Sequence, residues 1–473
     1  YEDGDLVNIV YFHSETGQII SKRNYKAGKL NGKVTILLQN GLIEERTYED
    51  DDLVNLAYLD PNYDLLAKLK YTNIAEIIFL LLLVGFIIWL AKKYKEIAWA
   101  ITIAFILRIT LTLINLHVVS LPDSTVDAVG FEYWAWSWGR DGLLVAPSHF
   151  FEKGVSWFYS NLGSLVYAIF GRSQFILTTL SIVTGGYCVI LAWKLSIQVW
   201  GSPGVAKTSA WLVALSPVLA LYSSLIMREA FITMLLLFGV LYSVLWLKTK
   251  IIINAFIAMI AFSLQIFFHP GMAMGGVLFL ALLFIYYNKI FFTKLVSNSS
   301  LDKRAFVIIL SCLLAGFFIY SFGNSLSFPY YSWLNLDNLI NRASQMYDGQ
   351  ATYPAWLMAE NISQFLLLLI PKFFYFLFSP FPWEISRSVH LMGSLDALVY
   401  IILFFSIYSH RKYIKSNREA LLLLLFIIFL GLIFSVAVGN FGTGLRHRSK
   451  LLPLIIVIAT PFIYRILFLR RNK

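Results

Sequence analysis

Residues Asn73–Glu96 read NIAEIIFLLLLVGFIIWLAKKYKE. The apolar run is as long as the ~20 residues that a helix needs to cross a bilayer core. It ends on a lysine cluster, the usual mark of a cytoplasmic loop. Working outward, the same pattern recurs, and spans are expected near 73–92, 97–118, 174–199, 204–222, 230–248, 251–268, 271–288, 304–322, 394–409, 420–438 and 451–469. The expected fold class is therefore mainly α, a polytopic transmembrane helical bundle of 11 spans. Composition agrees: 58% of the 473 residues are hydrophobic and 14% charged, with mean hydropathy +0.70. A soluble domain holds about 45–50% apolar and roughly 25% charged residues.

The formal charge of +11 raises the question of a nucleic-acid partner. The cations gather at the ends of apolar runs, however, so membrane lipids are the partners expected and nucleic acid is not. Cys188 and Cys312 lie far apart within apolar segments, which argues against a disulfide framework, a zinc site or a redox pair. KKYKE (92–96), KTK (248–250), the basic residues of 288–304 and HRKYIKSNRE (410–419) all read as cytoplasmic. Alternation then places residues 1–68, the long loops 119–173 and 323–393, and residues 439–450 outside the cytoplasm. One apolar run, FLLLLIPKFFYFLFSPFPW (365–383), breaks the count because both flanks should be external. Pro371 and Lys372 interrupt it, and it reads as a re-entrant or interfacial hairpin.

Residues 1–68 differ from the rest: polar, rich in turn formers, with short alternating stretches that read as strands. They also repeat, YEDGDLVN at Tyr1, YKAGKLNG at Tyr25 and YEDDDLVN at Tyr48. A fixed period of this size marks stacked supersecondary units. The pattern resembles MORN-repeat variants, which implies a small extracytoplasmic β-repeat domain at 1–68, ahead of the transmembrane domain at 73–473. Such a domain is either a plain cap or a module for a protein or glycan partner.

Unusual polar residues collect on the external side. LPDSTVDAVGFEYWAWSWGRDG carries Asp123 and Asp127; SSLIMREA carries Arg228 and Glu229; His269 follows the sixth span; Arg342 lies in the loop after 323; and GNFGTGLRHRSK supplies Arg446, His447, Arg448 and Lys450. Charges at a membrane edge are costly and are kept for pairing or function. Arginine grips phosphate oxygens in pairs, and a nearby carboxylate can take a proton from an attacking hydroxyl. Together they suit a sugar carried on a polyprenyl phosphate. Asp127 is the candidate catalytic acid, with Arg228, Arg446, His447 and Arg448 as phosphate ligands. Asp123, Glu229, His269, Arg342 and Lys450 are secondary candidates. Each also has a plainer reading: snorkelling cations in RHRSK, an Arg228–Glu229 ion pair, His269 as a helix end, and Asp127 as a helix cap.

The layout resembles the GT-C superfamily of membrane glycosyltransferases, chiefly over residues 97–290. Asp127, Phe131 and Ala135 match the acid–aromatic–alanine pattern of that family's first external loop. Further on, YFLFSPFPW and NFGTGLRHRSK are similar to surface-polysaccharide proteins of the O-antigen polymerase kind. The resemblance implies a glycosyltransferase of the bacterial cytoplasmic (inner) membrane with its active site outside. Its donor would be a polyprenyl-phosphate-linked sugar or lipid-linked glycan. No resident cofactor is implied, and nothing in the pattern indicates a metal. The alternatives are a polysaccharide polymerase or ligase and, in another class, a flippase or transporter of lipid-linked sugars.

Overall fold

The structure, a computed structural model, describes residues 65–296, 352–359, 361–385 and 388–469, together with strands nearer the N-terminus. The expected span at 304–322, Arg342 and most of the loop 323–393 lie outside the described residues.

The strands are β1 (Asn8–Phe12), β2 (Ile19–Lys26), β3 (Lys29–Leu30), β4 (Gly32–Leu37), β5 (Ile43–Glu49) and β6 (Asp52–Leu59). They pair antiparallel in the order β1-β2-β4-β5-β6, with β3 on β2. Tyr25 faces Leu30 across one hairpin and Tyr48 faces Leu53 across another. Two of the Tyr-x-x-x-x-Leu units thus close in the same register.

The remainder is helical and defines a multi-pass membrane protein. Among the described residues, six helices are long and apolar enough to span: Ile74–Lys93, Lys95–His117, Gln174–Trp200, Glu229–Thr249, Pro270–Lys289 and Arg418–Ala437. In chain order the helices are α1 (Leu65–Lys93), α2 (Ala98–His117), α3 (Val126–Gly139), α4 (Phe158–Phe170), α5 (Gln174–Trp200), α6 (Pro203–Leu215), α7 (Pro217–Tyr222) and α8 (Glu229–Thr249). Then follow α9 (Ile252–Gln265), α10 (Ala273–Val296), α11 (Ile362–Phe378), α12 (Ser388–Ser409), α13 (Arg411–Lys415), α14 (Arg418–Ala437), α15 (Phe441–Ser449) and α16 (Leu452–Tyr464).

Helix α5 forms the centre. Its apolar window is 83% buried, against 17% for α1, which lies at the rim. Small residues allow the close approach: a Cβ at Gly186 would overlap the ring of Phe105 on α2, and one at Gly185 would overlap Ser223. Membrane helices associate through such small positions because lipid leaves no hydrophobic drive between them.

Three expected spans are not single helices of full length. The segment 204–222 divides into α6 and α7 at Ser216, which is extended at ψ 117°. Pro217 has no N–H to donate and opens the next helix. Helix α9 stops at Gln265, short of the expected 268. The last apolar stretch begins as part of a pair, Phe441–Ser449 and Leu452–Phe468, bent by 66°. Helix α11 runs parallel to α14, since Phe373 meets Gly431 and Phe376 meets Phe434. Tyr353 lies beside Tyr375, with ring centres 5.6 Å apart, so the chain doubles back between them.

Candidate functional site

Helix α15 sets the geometry. Asn440 caps it by accepting from the Thr443 N–H at 2.8 Å, and the Tyr353 N–H donates to the Gly439 carbonyl at 2.8 Å. Successive residues of a helix turn by about 100°, so Arg446, His447 and Arg448 point three ways. His447 and Lys450, three apart, share a face.

Arg446 points toward the start of α3. Its Nη1 contacts the Asp127 carboxylate, and its Nη2 lies 3.9 Å from Asp123 Oδ2. The Tyr222 hydroxyl donates to the same Asp123 oxygen at 2.7 Å. Asp123 is held in the left-handed region at φ 61°, which aspartate tolerates better than most residues. Asp127 is 45% exposed and sits in the first turn of α3, where the helix dipole favours an anion. The cap position belongs to Thr125, so Asp127 is not the cap.

Behind this rim the cluster is buried. The Lys450 Nζ donates to His447 Nδ1 at 3.0 Å and lies 4.0 Å from Glu229 Oε1. An ammonium has only donors, so we assign the His447 ring proton to Nε2. The His447 ring stacks on Phe434 at 4.9 Å and meets the edge of His269 at 4.9 Å. His269 also closes α9 through its N–H to the Gln265 carbonyl, so it is a helix end and a member of the cluster at once. Burial, then the neighbouring Lys450, His447 and Arg228, push the His269 imidazole well below its usual range and keep it neutral.

Arg228 and Glu229 diverge. Arg228 Nη1 donates to the Ser156 carbonyl at 2.7 Å, and its guanidinium lies over Phe131 at 5.3 Å. Four buried atoms around the cluster have no hydrogen-bond partner among the described residues: Arg228 Nε, Glu229 Oε2, His269 Nδ1 and Arg446 Nε. Unsatisfied buried polar atoms are costly, and a ligand or solvent reaching the cluster would satisfy them.

Arg448 is a correction. It is 1% exposed, and its Nε and Nη2 both reach Asp396 Oδ2 at 2.8 Å. It also donates to the carbonyls of Phe376, Leu377, Ser379 and Gly393, while its own carbonyl accepts from the Tyr400 hydroxyl. With its donors spent on the end of α11 and the start of α12, Arg448 has none for a phosphate. It is a structural tie.

The structure thus brings Asp123, Asp127, Arg228, Glu229, His269, Arg446, His447 and Lys450 into one neighbourhood. Tyr222 and Phe434 join it without having been singled out in the sequence; Tyr222 stands just before SSLIMREA, and no spacing marks either residue. Glu132, in the same helix as Asp127, is taken up elsewhere by Arg172 at 2.7 Å. Among the described residues no three His, Cys, Asp or Glu side chains converge as metal ligands.

Fold and site together define a multi-pass membrane protein with a buried cluster of charges where several helix ends meet. No family model matches the chain, and no curated protein matches it.

Proposed function

We propose that the protein is a membrane glycosyltransferase whose donor is a sugar linked to polyprenyl phosphate or pyrophosphate. The observation that carries this reading is Arg446, a guanidinium held at a half-exposed rim against two carboxylates. Arg228, Lys450 and two histidines lie behind it. A phosphate is a natural competitor for that guanidinium, because arginine offers paired donors to its oxygens. When phosphate takes Arg446, Asp127 is released beside it. The acceptor hydroxyl then attacks the anomeric carbon, the bond from that carbon to the phosphate oxygen breaks, and Asp127 takes the hydroxyl proton. The lipid phosphate leaves with the bonding electrons and is stabilised by Arg446.

In this reading the cluster and the N-terminal MORN-like strands face outward from a bacterial cytoplasmic membrane. The basic loops on the opposite ends of the helices support that orientation. A polymerase or ligase of surface polysaccharide is the variant in which arginine dominates and Asp127 is only its counter-ion. A flippase or transporter of lipid-linked sugars is the second reading, favoured by the interruptions at Ser216–Pro217 and between α15 and α16, since transporters build sites from broken helices.

Turnover of lipid-linked glycan in proteoliposomes tests all three, comparing wild type with Asp127→Asn and Arg446→Ala. Loss in both supports the acid-dependent transferase, with a fall of about 10²-fold or more for the arginine. Loss only in Arg446→Ala supports the polymerase variant. Movement of the lipid across the bilayer with no bond broken supports the transporter.

A further inference from the structure

Helix α1 lies at the rim and has two separate anchors. Midway along it, Phe86 meets Phe105 of α2 edge to face, with ring centres 6.3 Å apart. Nearer its N-terminal end α1 leans on the turn between α4 and α5 instead. There Phe79 packs edge-on against Phe170 at 4.7 Å, and the Ser173 hydroxyl donates to Glu76 Oε1 at 2.6 Å. Beside this second anchor a cleft of about 600 Å³ opens between α1, the end of α2 and the start of α5. Sites for small molecules measure about 300–1,000 Å³.

The cleft changes character with depth. Glu76, His117 and Gln174 line it, together with Ile77, Leu80 and Leu113. Glu76 is the third residue of the apolar span Ile74–Lys93, and His117 is the last residue of α2. Both therefore sit at the membrane edge. Leu80 and Leu113 lie one helical turn further in, about 6 Å at 1.5 Å per residue. The rest of the chain leaves Ile77, Leu80 and Leu113 exposed, at 58%, 38% and 41%. Among the described residues no cation pairs with Glu76; its one bond is from the neutral Ser173. A carboxylate at this depth is costly and is kept for pairing or function.

We propose that the cleft holds one amine-headed phospholipid of the surrounding bilayer. Its ammonium sits at Glu76, its phosphate at Gln174 and His117, and one acyl chain runs along Ile77, Leu80 and Leu113. The charges match: an ammonium has only N–H donors and a carboxylate only acceptors, while amide and imidazole N–H groups suit phosphate oxygens. The order of groups down the cleft is also the order of groups down such a lipid. A polyprenyl phosphate offers similar hydrocarbon but no cation, and its charge is repelled by Glu76. The cleft takes the phospholipid whatever reaction the Arg446 cluster performs.

A lipid that binds only the folded chain raises its unfolding temperature. The full chain, purified in detergent, is therefore heated with added phosphatidylethanolamine, phosphatidylcholine of the same acyl chains, or a polyprenyl phosphate. Phosphatidylethanolamine should raise the midpoint by several degrees and phosphatidylcholine by less, because a trimethylated ammonium has no N–H to donate. Glu76→Gln should remove the difference between the two phospholipids. Leu113→Trp, which fills the cleft and keeps Glu76, should remove the rise itself, whereas Ile260→Trp on the exposed side of α9 should not. Equal rises from both phospholipids in the wild type, or a rise untouched by Glu76→Gln and Leu113→Trp, would mean ordinary solvation of apolar surface and overturn the proposal. So would a rise from the polyprenyl phosphate alone. Should Glu76→Gln fail to fold, native mass spectrometry decides: wild type should retain one phosphatidylethanolamine that Leu113→Trp loses, and equal retention overturns the site. Neither readout involves glycan turnover, so failure here and failure of the glycosyltransferase reading are separate results.

Discussion

Four neighbouring residues, Arg446, His447, Arg448 and Lys450, show how little adjacency in a chain says about adjacency in function. The helical turn sends Arg446 to the acids of α3 and Arg448 to Asp396 and four carbonyls. Removing Arg448 leaves Asp396 buried without its partner, a loss of about 3–5 kcal/mol. Arg448→Met should therefore lower the unfolding temperature sharply, while under the proposed function the molecules that do fold keep the wild-type KM for a lipid-linked donor. A raised KM with unchanged stability would return Arg448 to the proposed phosphate site. His269 gives a dependence on pH. Its folded imidazole is held neutral by burial and nearby cations, whereas in the unfolded chain it titrates near about 6.5. As pH falls below that value the unfolded chain binds the extra proton, so stability is level above it and declines below it. Unfolding measured between about pH 5 and 8 should show this decline, and His269→Gln should make it shallower. An unchanged slope would exclude His269 as the group responsible.

Among the elements, the legible features were the apolar runs, since twenty residues of uninterrupted hydrocarbon leave the backbone no solution but helix. What could not be read was where each helix would break or meet another. Pro217 was visible inside the run 204–222, yet membrane helices often carry proline without breaking, and only the extended Ser216 makes two helices of it. The contact of Arg446 with Asp127 joins residues 319 apart, and that of Arg448 with Asp396 joins residues 52 apart. No local pattern encodes either. The glycines of GG at 185–186 were likewise silent until the crossing of α2 and α5 gave them a reason. At Gly186 a side chain would have to displace the Phe105 ring from a closed interface. Gly186→Val is expected to cost about 1–3 kcal/mol or more through overpacking. Phe105→Ala should relieve part of that loss, although it costs stability on its own. Thermal unfolding of the two single variants and the double measures the relief, and strictly additive losses would mean that the two residues do not collide.

At the scale of the whole molecule, everything placed after residue 352 depends on how the chain passes through α11. Charge counting in the sequence required both flanks of this run on one side of the membrane, but it offered no mechanism for the return. The structure supplies a physical course. Trp356 lies against Tyr375 at 5.7 Å, Tyr375 against Phe381 at 5.1 Å, and Phe381 stacks on Trp383 at 5.0 Å. One aromatic group therefore gathers residues from before and after α11 at the same end of that helix, where amphipathic rings favour the membrane interface. Trp356 and Trp383 are exposed, at 58% and 77%. In a chain with Cys188 and Cys312 replaced, single cysteines at these two positions should react with an impermeant thiol reagent from the same side of sealed vesicles. A cysteine at Lys415, beyond α12, should react only from the other side. If Trp356 and Trp383 were labelled from opposite sides, α11 would be a full span and the orientation of α12 to α16 would invert. Arg446 could then not share a membrane face with an Asp127 fixed by the lysines after α1, and the candidate site itself would fall with the hairpin.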